Sequence, residues 1–162
     1  MKKSLICIAI MTAGLFVASC GNKNAAPAGE GGEATEQTSQ AVELDEDSIG
    51  PGVLNVNQFA VDVPEGWKVI DKKAAGYIRM RPADNGFASF TINHEEGNYA
   101  EASKDMTKKE EKNVGDNKFS FFEDKEDVVA YLNIGDKAYL CVRYDEIDAA
   151  TAEKVLASIK VK

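Results

Sequence analysis

Few side chains in this 162-residue sequence can do chemistry, and they are scattered. His94 is the sole histidine, and the three cysteines are Cys7, Cys20 and Cys141. A protein metal centre needs several such ligands at close spacing. His94 has no second histidine or cysteine near it and follows Ala88, Phe90 and Ile92 in phase. That phase puts it at the end of a core-facing strand row, as a structural residue. A nucleophilic Cys141 would need a base nearby, and a cation or helix N-terminus to lower its pKa. Tyr139 and Arg143, two residues away on either side, supply only part of that. The acidic pairs Glu95-Glu96, Glu110-Glu111 and Asp145-Glu146 suggest acid/base work or calcium. Adjacent residues on a strand point to opposite faces, so no pair is a dyad by itself. The sequence contains no nucleophile elbow, phosphate loop, dinucleotide-binding glycine pattern or HExxH motif. The expectation is a non-catalytic protein with no cofactor and no resident metal.

The arginines make a more suggestive set. All three fall in strand-like stretches: Arg79 and Arg81 in phase with Tyr77, Arg143 in phase with Tyr139 and Cys141. One sheet face, opposite Ile78 and Met80, would then gather Arg79, Arg81 and Arg143 with Tyr131, Asn133 and Tyr139. Arginine offers planar, bidentate recognition of carboxylate or phosphate, and tyrosine adds flat contact area. This is the candidate binding face, for a small anionic ligand or a protein. The alternative is a partly solvated sheet face whose arginines pair with Asp or Glu on neighbouring strands.

The elements that must position these residues follow from periodicity. Phe59, Val61 and Val63 alternate with small or polar residues, which predicts a strand. Pro64-Glu65-Gly66 is a turn, and Trp67 to Ile70 begins a second strand. Tyr77 to Arg81 and Phe87 to His94 are two more, joined by the turn-rich Pro82-Ala83-Asp84-Asn85-Gly86. Asn98 followed by Glu101 predicts a capped helix start, with Tyr99, Ala102 and Met106 on one face and Lys104 to Lys112 as its exposed side and end. Lys118 to Phe122 is a fifth strand. Val128 to Ile134 and Lys137 to Tyr144 read as a hairpin across Gly135-Asp136. Ala152, Val155, Leu156 and Ile159 give the stripe of a closing helix, entered through Ile147 and an Asp148 cap. The expected fold is a single α+β domain: an antiparallel sheet of about six or seven strands packed with two helices, in the order strands, helix, strands, helix.

The first residues have another character. Met1-Lys2-Lys3 is a basic start, and Leu5 to Val17 is almost wholly apolar. Thirteen helical residues span about 20 Å, short of a bilayer core of about 30 Å. That length suits a signal-peptide core. Val17-Ala18-Ser19-Cys20 follows, and this resembles the lipobox of bacterial lipoproteins: an aliphatic residue, two small residues, then cysteine. The resemblance implies cleavage before Cys20 and a diacylglyceryl thioether on its sulfur. Each buried methylene of such a chain contributes about 0.8 kcal/mol, so two chains hold stably. The expected location is the bacterial cell envelope, with the membrane as partner through the lipid on Cys20. Gly21 after the cysteine, in place of the aspartate associated with inner-membrane retention, leans towards the outer membrane in a Gram-negative cell.

Residues 1–19 then read as signal peptide, 20–48 as a lipidated tether, and 49–162 as the folded domain. In the tether, seven acids (Glu30, Glu33, Glu36, Glu43, Asp45, Glu46, Asp47) oppose Lys23, and aromatic residues are lacking. Such a composition cannot bury enough apolar surface to order itself, and its reach is about 30 Å. Asp45-Glu46-Asp47-Ser48-Ile49-Gly50 begins like an EF-hand loop but fails at its fifth place, Ile49, and its twelfth, Val56. The net charge of −8 excludes a general basic surface for nucleic acid.

Within the domain, Phe59-x-Val61-x-Val63-Pro64-Glu65-Gly66-Trp67 resembles the opening of the PsbP-like family. The run Val155-Leu156-Ala157-Ser158-Ile159-Lys160 is similar to that family's closing helix and last strand. The resemblance implies an antiparallel sheet between helices and an accessory or assembly role rather than catalysis. It carries over no site residue. Two other function classes stand beside the binding module: a small envelope hydrolase or redox enzyme using Cys141, His94 or the acids, and a structural envelope component that self-associates. The enzyme requires those groups to converge in one pocket.

Overall fold

The computed structural model describes residues 41–125 and 127–162. Val17, Ala18, Ser19, Cys20 and the tether as far as Gln40 lie outside the described residues.

The described chain runs β1 (Gly52–Asn55), β2 (Phe59–Val63), β3 (Trp67–Lys73), β4 (Tyr77–Pro82), β5 (Ser89–Glu96), α1 (Tyr99–Ala102), β6 (Thr107–Val114), β7 (Asn117–Asp124), β8 (Asp127–Gly135), β9 (Ala138–Asp145), α2 (Ala149–Ala157) and β10 (Lys160–Val161). Two antiparallel sheets result. The larger has the order β3-β4-β5-β9-β8-β7-β6, and the smaller β1-β2-β10. With two helices on antiparallel sheets, the class is α+β.

Alternation decides which way each strand faces. On β2, Phe59, Val61 and Val63 are buried while Ala60 and Asp62 turn outward. On β4, Ile78 and Met80 are buried and Arg79 is exposed. Phe90, Ile92, Leu140, Val142 and Phe119 continue that inner face across the large sheet. The same core takes in β2 and Ala152, Val155 and Leu156 of α2. The expected staple and cap are both present: Ile147 packs on the core, and the Asp148 carboxylate accepts from the Thr151 N–H at 2.9 Å. Gly66 adopts φ +73° in the β2–β3 turn, a conformation that favours glycine.

Two expectations are corrected. The stretch Lys104 to Lys112 is not the side of a helix. Asn98 does cap α1, accepting from Ala100 N–H at 2.9 Å, but the helix closes after one turn at Ser103. Residues 107–114 then form β6, the edge of the large sheet, paired with β7 from Thr107↔Glu123 to Val114↔Asn117. Thr107 to Glu111 are all exposed, so this strand carries no apolar alternation to read. Its lysines and glutamates are what an unpaired sheet edge needs to repel a further strand. The element order is therefore five strands, helix, four strands, helix and a short last strand, rather than the simpler alternation expected.

The packed body also starts before Ile49. Leu44 is buried, and its N–H donates to Val53 O at 2.8 Å. Asp47 N–H and Gly50 N–H donate to Val69 O and Trp67 O, at 3.1 and 2.8 Å. The Lys72 ammonium donates to Leu44 O at 2.9 Å and to the Asp45 carboxylate at 2.8 Å, with Glu43 at 3.4 Å. Lys68 pairs with Asp47 at 2.8 Å. Carboxylates that look like tether charge in the sequence thus hold residues 43–50 to β3 of the large sheet, while the Leu44 backbone bond holds them to β1 of the small one.

Candidate functional site

The strand registers fix what stands on the outer face of the large sheet. One row runs Tyr77, Asn93, Cys141, Tyr131, Ser120. The next runs Arg79, Thr91, Arg143, Val129, Phe122. On the far side of the first row come Glu95, Tyr139 and Asn133. Antiparallel pairing in register is what brings Arg79 and Arg143 onto one line, two strands apart.

Half of this face is a second small core. The one-turn helix lays Tyr99 across it, stacked on Tyr131 at 5.4 Å between centroids and edge-on to Tyr139 at 6.3 Å. Phe122 and Tyr139 meet Tyr131 edge-on at 5.5 and 5.6 Å. The Tyr131 hydroxyl donates to Met106 Sδ at 3.7 Å, and Tyr99 and Ser120 share a hydroxyl bond of 3.2 Å. Such aromatic pairs contribute about 0.5–1.5 kcal/mol each beyond area burial. Tyr131 and Tyr139 are therefore mostly consumed as packing, at 2% and 7% exposed.

Beside Tyr99 the face remains open. A hollow of about 290 Å³ is bounded by Ala102 and Met106 above and by Tyr131, Tyr139, Cys141, Arg143, Asn93 and Glu95 on the sheet. Its charged groups stand at opposite ends. The Asn93 amide donates to the Glu95 carboxylate at one end. At the other, Arg143 Nη1 donates to Asp124 at 3.2 Å, leaving the side chain 42% exposed. One of the five guanidinium N–H groups is used in that bond, so donors remain for a planar anion.

Of the five residues expected on the binding face, the hollow brings together Arg143, Tyr131 and Tyr139. Arg79 and Arg81 do not line it. Arg79 is exposed further along the face, and Arg81 Nη1 donates to Asn85 O at 2.8 Å in the β4–β5 turn. The Arg143–Asp124 pair is the cross-strand acid partner that the alternative reading anticipates. Asn93 has no place in the sequence reading; Glu95 enters it only within an acidic pair, and Met106 only on a helix face. Asn93 and Glu95 follow from Tyr77 and Tyr139 only once the register is known, and Met106 was assigned to a helix that ends before it.

The thiol of Cys141 is pushed above its ordinary pKa by burial, with Arg143 and Tyr131 offsetting part of the effect. Burial pushes Tyr131 up to about 12 and raises Tyr139 as well. All three are therefore neutral at pH 7, and a neutral thiol is a poor nucleophile. His94 pairs in register with Leu140, while Cys141 pairs with Asn93. The two thus face opposite sides of the sheet, which breaks the convergence a Cys–His enzyme requires. Of the acidic pairs, Glu111 is held by Lys108 and Lys118 and Glu110 by Lys112, while Glu95 shares the hollow with Cys141 and accepts from Asn93. Among the described residues no group of three or more His, Cys, Asp or Glu side chains is placed to hold a metal ion.

No family model matches this chain, and no curated protein matches it. A solved structure from Bacteroides thetaiotaomicron is similar to it at 14% identity, with a TM-score of 0.46. The match covers 64% of this chain and 45% of that one, so the chain spans less than half the length of that protein.

Proposed function

We propose that this protein is a lipid-anchored component of the bacterial cell envelope whose α+β domain binds a small anionic ligand without catalysis. The observation that carries the binding reading is Arg143 at the end of the outer-face hollow, with donors to spare beside its bond to Asp124. A carboxylate or phosphate entering there exchanges its water for a charge-assisted bond in a partly buried site. Tyr139 and Met106 supply the apolar wall. Anchoring through Cys20 rests on the lipobox resemblance, and its effect is to hold the binding face at high local concentration near the membrane. The PsbP-like assignment is part of the same proposal. It is supported by the strand–turn–strand opening at β2 and β3 and by the closing α2 and β10.

The test uses the mature chain in detergent micelles, titrated calorimetrically with inorganic phosphate and with succinate. Saturable binding that Arg143→Gln weakens about tenfold or more supports the reading. Binding of neither anion, or binding indifferent to Arg143, overturns it. For the anchor, Cys20→Ala is expected to move the chain from the membrane to the soluble fraction, and mass spectrometry of the wild type should show the added diacylglyceryl mass.

A further inference from the structure

At the end of the large sheet farthest from the β8–β9 turn, one aromatic side chain stands outside any core. Phe87 is 90% exposed, against 65% for Val42 and 57% for Ile49. Its position is held. The Asn85 carboxamide oxygen accepts from Phe87 N–H at 3.0 Å and Ala88 N–H at 3.3 Å. Arg81 Nη1 grips Asn85 O at 2.8 Å, and Ala88 is buried at 1% exposed, fixing the far side of the turn. A bare phenyl ring on a backbone so fixed loses little freedom when it docks.

The surroundings are acidic. Ala83 N–H bonds to Gly66 O at 2.9 Å, which brings the Pro64-Glu65-Gly66 turn alongside. Ser89 pairs with Asp145, which brings the end of β9 to the other side. Glu65, Asp84, Asp145 and Glu146 are all exposed there. The segments 64–66, 82–89 and 145–148 contain no lysine or arginine. The cations bordering these segments are Arg81, turned to Asn85, Arg143, paired with Asp124, and Lys154, which shares a hollow with Glu65.

We propose that Phe87 is a docking knob for a partner protein that offers an apolar socket rimmed by lysine or arginine. Interfaces concentrate their affinity in an aromatic anchor ringed by polar residues. The acidic collar selects the sign of the partner's rim and speeds the encounter. The same collar argues against a bilayer, whose cytoplasmic and bacterial surfaces are zwitterionic or anionic. It also argues against a second copy, which brings the same net negative charge. The inference is independent of the Arg143 hollow.

The test is photo-crosslinking in living cells, with p-benzoylphenylalanine replacing Phe87 in the full chain. A second site, Asp136 at the opposite end of the sheet, serves as the control. The expected result is an adduct from position 87 and none from 136. Its digested cross-linked peptide belongs to another protein and carries Lys or Arg beside an apolar stretch. Combining Asp84→Lys with Glu146→Lys should lower the yield about tenfold, with unchanged circular dichroism confirming the fold. Equal adducts from both positions, an adduct to lipid or to this chain itself, indifference to the charge reversal, or no adduct would each overturn the proposal.

Discussion

Glu111 shows how an exposed residue can still be tied to folding. Lys108 bonds to its carboxylate most strongly and Lys118 next, and together they hold its pKa at about 2. A free glutamate ionises near 4.3. The folded value is the lower one, so this stabilisation is complete above about pH 4.3 and is lost as pH falls towards 2. Because the group is exposed, salt screens it. Glu111→Gln is expected to lower the melting temperature at pH 7 by about a degree or two. The gap between mutant and wild type should shrink on acidification to pH 2. A gap that widens on acidification would contradict the ion-pair account. Cys141 makes the complementary case. Its thiol is held protonated by burial, so iodoacetamide at pH 7.5 should alkylate the native protein at least about tenfold more slowly than the urea-unfolded chain. Fast native alkylation would instead reveal an activated thiolate and revive a catalytic reading.

Among the elements, β6 is the instructive one. It closes the large sheet with Thr-Lys-Lys-Glu-Glu-Lys-Asn-Val, and among the described residues no strand pairs with its outer edge. Replacing Lys109 and Glu111 together by Val should leave the β6–β7 register in place while removing the charge that guards the edge. Sedimentation velocity should then show concentration-dependent association absent from the wild type. A variant that stays monomeric would mean that edge is protected some other way. The same strand explains where sequence reading stops. Strands β2, β4 and β5 and helix α2 were legible because one face of each meets the core and the other is more open to water; β8 and β9, buried on both faces over much of their length, were legible from their β-rich runs and the Gly135-Asp136 turn between them. β6 has solvent on nearly all sides, so its charges mimic a helix surface. β10 is too short to show a period, and β1 depends on pairing with β2 and with residues far along the chain. The site was legible to the same degree. Phase alone put Arg79, Arg143, Tyr131 and Tyr139 on one face. The lid made by Tyr99, and the diversion of Arg81 into the β4–β5 turn, depend on tertiary contacts that no strand pattern encodes.

For the molecule as a whole, the segment 43–50 adds a tie between the small sheet and the large one beside the shared core, to which it contributes Leu44. Lys72 is its central clamp, only 14% exposed and bonded to Leu44 O, Asp45 and Glu43. Lys72→Ala should cost about 1–2 kcal/mol in urea unfolding. Lys73→Ala, whose side chain is 64% exposed, should stay within about 0.5 kcal/mol. Equal effects at the two positions would remove the clamp from this account. The arrangement has a mechanical consequence. Tension applied at Ala41 reaches the Val42–Val53 bond first, then the Leu44–Val53 bond and the Lys72 clamp, and the Gly50–Trp67 bond after them. The strands of the core are loaded last. Ten residues, 41 to 50, can peel away and add about 3 nm of length while the two sheets stay closed. The domain therefore carries its own fuse, which yields under load before the fold does.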